Sequence, residues 1–201
     1  MSLSSRHLAG AFLMAVAAPV AVQAQEAGVA PIQSLDDGLL AIMKGGKALG
    51  FAGRAARISP VVDQVFDLSL MTRLSVGSGW TSFSATDQIA LTTAFRRMTI
   101  AQYADNFDGY SGERFVIDPK VEVRGTDRLV KTILKSPRDK PVSLAYRLRQ
   151  TGGSWRVIDV FYQNSISQLA TRRADFAHIL STGGAKALVA HLNALSEKAA
   201  H

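Results

Sequence analysis

The stretch Val142-Ser143-Leu144-Ala145-Tyr146-Arg147-Leu148-Arg149 alternates residue by residue, with Val142, Leu144, Tyr146 and Leu148 on one side and Ser143, Ala145, Arg147 and Arg149 on the other. Side chains two apart on an extended chain point the same way, so this period requires a strand with one buried face and one wet face. The same period continues outward from Glu113 to Gln163. Strands are expected over Arg114 to Arg124, with room for a bend at Pro119, and over Arg128 to Lys135, Val142 to Gln150 and Ser154 to Gln163. The turns between them, at Gly125-Thr126-Asp127, Ser136 to Pro141 and Thr151-Gly152-Gly153, are short and suit an antiparallel meander.

On either side the period changes to that of a helix. Ser34 with Asp37 is an N-terminal capping pattern, opening a helix through Leu39, Leu40 and Met43 that Gly45-Gly46 should end. A second helix is expected from Phe51 to Phe66, interrupted at Pro60, and a short third one capped by Asp67. Gly77-Ser78-Gly79 breaks the chain before Trp80. Ser84 and Asp87 then cap a long helix reaching Phe107. Leu91, Phe95 and Met98 form one apolar stripe on it, while Ile100, Tyr103 and Phe107 form another about half a turn away. Two stripes require either two burying surfaces, one of them a ligand cavity, or a kink near Thr99 that re-aims a single core face. After the strands come helices from Ile166 to Leu180 and from Ala185 to Lys198, separated by Gly183-Gly184. Helices bracketing an antiparallel sheet make an α+β domain.

At the start of the chain, Arg6 precedes an apolar run from Leu8 to Val22 that ends in Val22-Gln23-Ala24. Small residues there match a signal-peptidase site, so residues 1–24 are expected to be a cleaved signal peptide. The run is interrupted by Pro19 and is shorter than the roughly 20 apolar residues of a membrane span. Residues 25–33 are expected as a flexible leader, and 34–198 as a single domain. An apolar content of 47% with 19% charged residues is ordinary for a globular chain.

Composition also removes whole classes of chemistry. Without cysteine there are no disulfides, thiol nucleophiles or cysteine metal sites. Four histidines and no H-E-x-x-H pattern leave no metal site to assign; His191, among Leu188, Leu192 and Leu195, reads as a boundary residue. No G-x-S-x-G elbow, phosphate loop or dinucleotide glycine pattern occurs. Neither a catalytic residue nor a cofactor is assigned. Asp105 and Asp108 beside Tyr103 and Tyr110 read as helix-end acids. Asp159, inside the apolar strand Val157 to Phe161, needs an arginine or backbone partner to offset its burial.

Loss of Arg6 with the signal leaves 22 basic against 16 acidic residues, a formal charge of +6. Between Glu113 and Arg156, eleven basic residues face five acidic ones, so the whole excess lies in the strand region. Exposed aromatics are not interleaved with these bases, and export takes the chain away from nucleic acid, so no nucleic acid partner is expected. The basic face is either solvated or a docking surface.

Several motifs together resemble a known family. They are Phe66-Asp67-Leu68, Met71 to Trp80, Gln88 to Tyr103, Tyr146-Arg147-Leu148, Gly153-Ser154-Trp155-Arg156-Val157-Ile158-Asp159-Val160, and Asp175-Phe176 with Ile179-Leu180 and Gly183-Gly184. In combination they are similar to the MlaC, or toluene-tolerance, family of periplasmic phospholipid-binding proteins. Asn106 to Phe115 and Ser165-Ile166-Ser167 resemble its hopanoid-associated HpnM branch. The resemblance implies a cone-shaped, nuclear-transport-factor-like α+β domain, in which a four-stranded curved antiparallel sheet and terminal helices enclose an apolar cavity. It also implies a non-enzymatic carrier of phospholipid or hopanoid. Its partners would be an inner-membrane ABC transporter complex and an outer-membrane lipoprotein/porin complex. On that reading the cavity residues are Val65, Met71, Trp80, Tyr103, Phe107, Leu144, Tyr146, Leu148 and Val157. Two other readings stand beside it. One is a small-molecule enzyme on the same cone, with Asp159 or Asp105 and Tyr103 or Tyr146 handling protons. The other is an adaptor of a membrane complex whose interior is merely core.

Overall fold

Hydrogen bonding between neighbouring strands joins the period-two region into one curved, unclosed antiparallel sheet. The computed structural model describes residues 20–201, with side chains from residue 28 onward; the expected signal peptide lies almost wholly outside the described residues. Strands β1 (Arg114–Ile117) and β2 (Glu122–Arg124) both pair with β3 (Asp127–Lys135). Next in order are β4 (Val142–Thr151), β5 (Ser154–Tyr162) and β6 (Ile166–Ser167). The sheet therefore has six strands where four were expected. Pro119 has no N–H to give to a ladder and falls between β1 and β2, and β6 is a two-residue addition at the far edge. Val130 lies opposite Tyr146 and Thr132 opposite Leu144 across β3 and β4. Between β4 and β5 the register shifts, with Arg147 opposite Asp159 and Leu148 opposite Val157, so Ile158 is the extra residue of a bulge.

The helices are α1 (Val20–Val65), α2 (Leu68–Val76), a 3-10 helix at Gly77–Ser82, α3 (Ala85–Asn106) and α4 (Gln168–Lys198). Helix α1 does not wait for the expected cap at Ser34. Residues 25–33, expected as a flexible leader, are already helical, and Ile32 is fully buried beside Leu35 and Leu39. Apolar burial at i, i+3 and i+7 extends the helix backward past its local capping signal. The expected break at Gly45-Gly46 is present within this run. Gly46 (φ 45°) and Gly50 (φ 59°) have positive-φ, non-helical backbone, so α1 consists of two helices that meet at a sharp kink where the first was expected to end. Arg54 secures the kink, donating from Nη1 to the Gly46 carbonyl (3.0 Å) and from Nε to the Ala104 carbonyl on α3 (2.7 Å). Pro60 does not break the second half as expected; the backbone stays helical through it. Gly184 (φ 62°) is likewise non-helical and separates the two expected C-terminal helices, which run on as α4 across a kink.

Two caps form as expected. Asp67 accepts from the Leu70 N–H (2.9 Å). Ser84 Oγ accepts from the Asp87 N–H (3.1 Å) and donates to its carboxylate (2.7 Å). Helix α3 runs without a kink at Thr99, whose hydroxyl donates back to the Phe95 carbonyl (2.9 Å). Both of its stripes meet neighbours because the helix lies between α1 and α4 and turns Tyr103 and Phe107 toward other aromatic rings.

Asp159, only 3% exposed, finds backbone and hydroxyl partners rather than an arginine. One oxygen accepts from Ser167 Oγ (2.6 Å) and the other from the Leu169 N–H (3.0 Å), while Ser167 Oγ accepts from the Ala170 N–H (3.0 Å). The carboxylate thus covers free N–H groups in the first turn of α4 and fastens that helix to β5. Replacing Asp159 with Ala is expected to cost about 2–3 kcal/mol, the range for buried charge-assisted hydrogen bonds. Urea unfolding followed by circular dichroism measures it, and an unshifted midpoint would rule out this fastening role.

Candidate functional site

Along the side of α3 turned to the sheet, aromatic rings stand in a row. Phe66 at the junction after α1 lies 5.7 Å from Tyr103, Tyr103 lies 6.0 Å from Phe107, and Phe107 lies 6.4 Å from Phe115 on β1, all between ring centroids. A cavity opens at each end of the row. One, of about 160 Å³, is lined by Phe66, Met71, Tyr103 and Val160, with Gln102 and Arg172 at its polar side. The other, of about 570 Å³, has Met43, Phe107, Leu134 and Val142 as apolar wall and Glu113, Asp139 and Lys140 among its polar residues. Asn106 lines both. The row and its two cavities form a seam between the helical layer and the sheet.

The nine residues expected to line a cavity fall into four places. Met71 and Tyr103 line the smaller cavity, and Phe107 the larger. Val65, Tyr146, Leu148 and Val157 are fully buried core beneath the seam, and Leu144 packs partly buried against them. Trp80 lies apart, in a shallow depression with Ser69, Gln88 and Ile89. A further groove of about 440 Å³, between α1, α3 and the end of α4, holds none of the nine. Of the acids weighed for proton chemistry, Asp105 is exposed and Asp159 is engaged by α4. Among the described residues no group of three His, Asp or Glu side chains is placed to hold a metal.

Several of the basic side chains on the sheet are held by carboxylates, two to each acid, which leaves the net positive excess in place. Asp127, 2% exposed, accepts from Arg147 Nε (2.6 Å) and from Arg149 Nε and Nη2 (2.7 and 2.9 Å); the Arg149 bonds foremost hold its carboxyl below the usual range. Glu122 pairs with Lys131 and Arg124, and Arg128 stacks 4.9 Å over the Trp155 ring. On the face of β4 expected to be wet, Arg147 and Arg149 share Asp127 and keep a net positive charge, whereas Ala145 is fully buried, so that face is covered at its middle. Arg172 is different. It donates to Gln102 (2.9 Å) and lies 5.0 Å over the Phe95 ring, at the wall of the smaller cavity, where burial lowers its pKa.

Sequence reading missed Phe66, Val160 and Arg172, which reach the seam from three separate elements. It also missed Asp36. That residue sits in the stripe Ile32, Leu35, Leu39, Met43 of α1, where one carboxylate interrupts otherwise apolar positions, and this was the signal available. Asp36 is 1% exposed, and neither carboxyl oxygen has a hydrogen-bond partner among the described residues. Burial, then repulsion from Asp37, pushes its pKa from 3.8 up to about 7. Its field reaches Tyr103 on α3 and Tyr146 on β4, whose phenols burial raises well above the ordinary range. Between pH 3.8 and about 7 the folded chain keeps a proton at Asp36 that the unfolded chain has lost, so stability falls as pH rises through that window. The loss is on the order of a few kcal/mol. Asp36→Asn should remove this pH dependence, as measured by denaturant unfolding at pH 4 and pH 8; identical profiles for the two proteins would refute a raised pKa.

Comparison with known proteins agrees with this architecture. No curated protein sequence matches the chain. Among solved structures, a phospholipid-binding protein from Ralstonia solanacearum in complex with a phospholipid superposes with a TM-score of 0.72 at 23% identity. The match covers 87% of this chain and 99% of that one. Residues 33–194 match the family model for MlaC protein. The span includes the seam, most of both kinked helices and the entire sheet, and on it the chain belongs to the MlaC family.

Proposed function

We propose that this protein is a periplasmic lipid carrier that takes acyl chains into the seam between α3 and the sheet. The observation that carries the reading is the aromatic row from Phe66 to Phe115 with a cavity at each end. Family membership and the likeness to a fold that holds a phospholipid support it. Two acyl chains carry roughly 30 methylenes, and at about 0.8 kcal/mol each their exposure to water is prohibitive. A carrier solves this by burial, which requires no catalytic residue.

The physical difficulty is the opposite one, keeping room for lipid without an expensive void. An empty apolar space of about 500 Å³ would cost about 12 kcal/mol at roughly 24 cal/mol per Å³, comparable with the whole stability of a domain. Side chains that fill the seam and yield to lipid avoid that cost. Tyr103 and Phe107 are placed for this role. Opening requires α1 or α3 to move relative to the sheet, and the kinks at Gly46 and Gly50 are the natural joints, next to the larger cavity through Met43. On this reading the exported protein exchanges phospholipid or hopanoid between an inner-membrane ABC transporter complex and an outer-membrane lipoprotein/porin complex. Docking supplies the force that opens the seam, since a fully buried lipid otherwise leaves slowly.

Enzymatic use of the same interior needs a proton-transfer group open to the cavity. Asp105 and Asp159 are placed otherwise, and Asp36 lines neither cavity, so the carrier reading is the stronger.

Native mass spectrometry of the chain beginning after Ala24, purified without detergent, should show lipid at defined stoichiometry, and extraction should identify its class. Leu144→Trp, which overfills the inner face of β4, should lower copurifying lipid several-fold while the circular dichroism spectrum persists. Undiminished lipid in the folded variant would move the site away from the seam. A wild-type protein that also refuses added phospholipid would favour the adaptor reading.

A further inference from the structure

The two ends of the ring row differ in charge. In the lining of the cavity of about 570 Å³, three acids, Asp108, Glu113 and Asp139, stand against one lysine, Lys140, a formal balance of −2. The lining of the cavity of about 160 Å³ contains no acid and one cation, Arg172, a balance of +1. Beside Arg172 its polar side includes the neutral amides of Gln102, Asn106 and Gln168. Gln102 and Asn106 stand one turn apart on α3, and Gln168 and Arg172 one turn apart on α4, so each pair shares a face of its helix. The bond from Arg172 Nη2 to Gln102 Oε1 (2.9 Å) joins the two faces, and the guanidinium lies 5.0 Å over the Phe95 ring, so it is held in a fixed place at the cavity wall.

A guanidinium keeps its charge in partly apolar surroundings, so it calls for a counter-charge there and not only for hydrogen bonds. No carboxylate among the described residues lies within ion-pair distance of Arg172. Asp159, whose field reaches it, has both oxygens engaged by Ser167 and the Leu169 N–H. Gln102 is neutral, and water on the other guanidinium donors would bring no charge either. The group that suits this wall is an anion with several acceptor oxygens, which the planar fork of an arginine binds. Size narrows the choice. About 160 Å³ is below the roughly 300 Å³ at which sites for whole small molecules begin, so the space takes an ionised group while the chains attached to it lie elsewhere. Phe66 and Tyr103 belong both to this wall and to the ring row, so chains leaving the cavity follow the rings toward Phe107.

We infer that Arg172, with Gln102, Asn106 and Gln168, is the site that holds the phosphate group of an amphiphilic ligand, at the end of the seam where α2, α3 and α4 meet. This rests on the carrier reading and deepens it, because it orients the lipid, with the anionic head beside Arg172 and the chains along the rings. Arg172 supplies the charge, Gln102 holds the guanidinium in place, and the side-chain amides of Asn106 and Gln168 add neutral donors. The acids of the larger cavity oppose the reverse orientation, since they would repel the same phosphate.

Three probes test it on the chain beginning after Ala24, freed of copurified lipid: dioctanoyl phosphatidylglycerol, dioctanoylglycerol, which has the same chains and no phosphate, and inorganic phosphate. Equilibrium binding is measured at about 0.15 M salt, where attraction to exposed bases is screened. Wild type should bind the phospholipid about tenfold more tightly than the diacylglycerol, the discrimination expected of charge-assisted hydrogen bonds. Arg172→Met should bring that ratio to about one by weakening the phospholipid alone; unchanged binding of the diacylglycerol shows that the fold is intact. Gln168→Glu sets a carboxylate one turn from Arg172, at a helix start that accepts acids, so it should lower the same ratio and serves if the first variant does not fold. Inorganic phosphate bound as tightly as the phospholipid would make this a site for the free anion and overturn the lipid assignment. Tight but equal binding of the two lipids by wild type would overturn the site and leave the carrier reading standing, and a preference that survives both substitutions would also overturn the site. Failure of both lipids to bind wild type would take the carrier reading down with it.

Discussion

The rest of the structure depends on how α3 is held off the sheet. Its neighbours along the helical layer are α4 and α1, and the side turned to the strands is met by rings rather than by small side chains. Aromatic rings in tilted and stacked contact 5.7 to 6.4 Å apart fill space without interlocking as closely as branched aliphatic side chains do. The interior is consequently well packed at Val65, Tyr146, Leu148 and Val157, and loosely packed just above them. A lipid carrier needs both properties, a core that keeps the fold and a layer that yields.

Polar groups are distributed in the same spirit. Where a charge serves the fold, it is fully engaged. Asp159 holds the start of α4, Asp127 holds two arginines on the sheet, and Arg54 ties the α1 kink to the end of α3. Asp36, Thr132 and Ser75 break this rule, with buried side-chain oxygens that have no hydrogen-bond partner among the described residues.

Local signals and tertiary demands agreed in some segments and competed in others. The caps at Asp67 and Ser84 were readable because they are satisfied within a few residues of themselves. Gly46 and Gly184 were readable as helix ends, and in the fold each lies at a sharp kink between two helices that follow one another directly. Ser34 was a good cap that α1 did not use, because Ile32 had a core to enter. Pro60 remained within a helix for the same reason, with Ile58 and Val62 on either side fully buried.

The sequence by itself determined the α+β class, the antiparallel order of the strands and the inner face of β4, because the period of apolar residues is a local property that any packing must respect. It also marked Asp159 as a buried acid needing a partner. Only the tertiary structure decided which partner that would be, which inward residues are solid core and which border a cavity. It alone brought Phe66, Tyr103, Phe107 and Phe115 into a row and left Asp36 without a bond. Those outcomes depend on the separation between layers that meet far apart in the chain, and periodicity reports the direction of a side chain but never what stands opposite it.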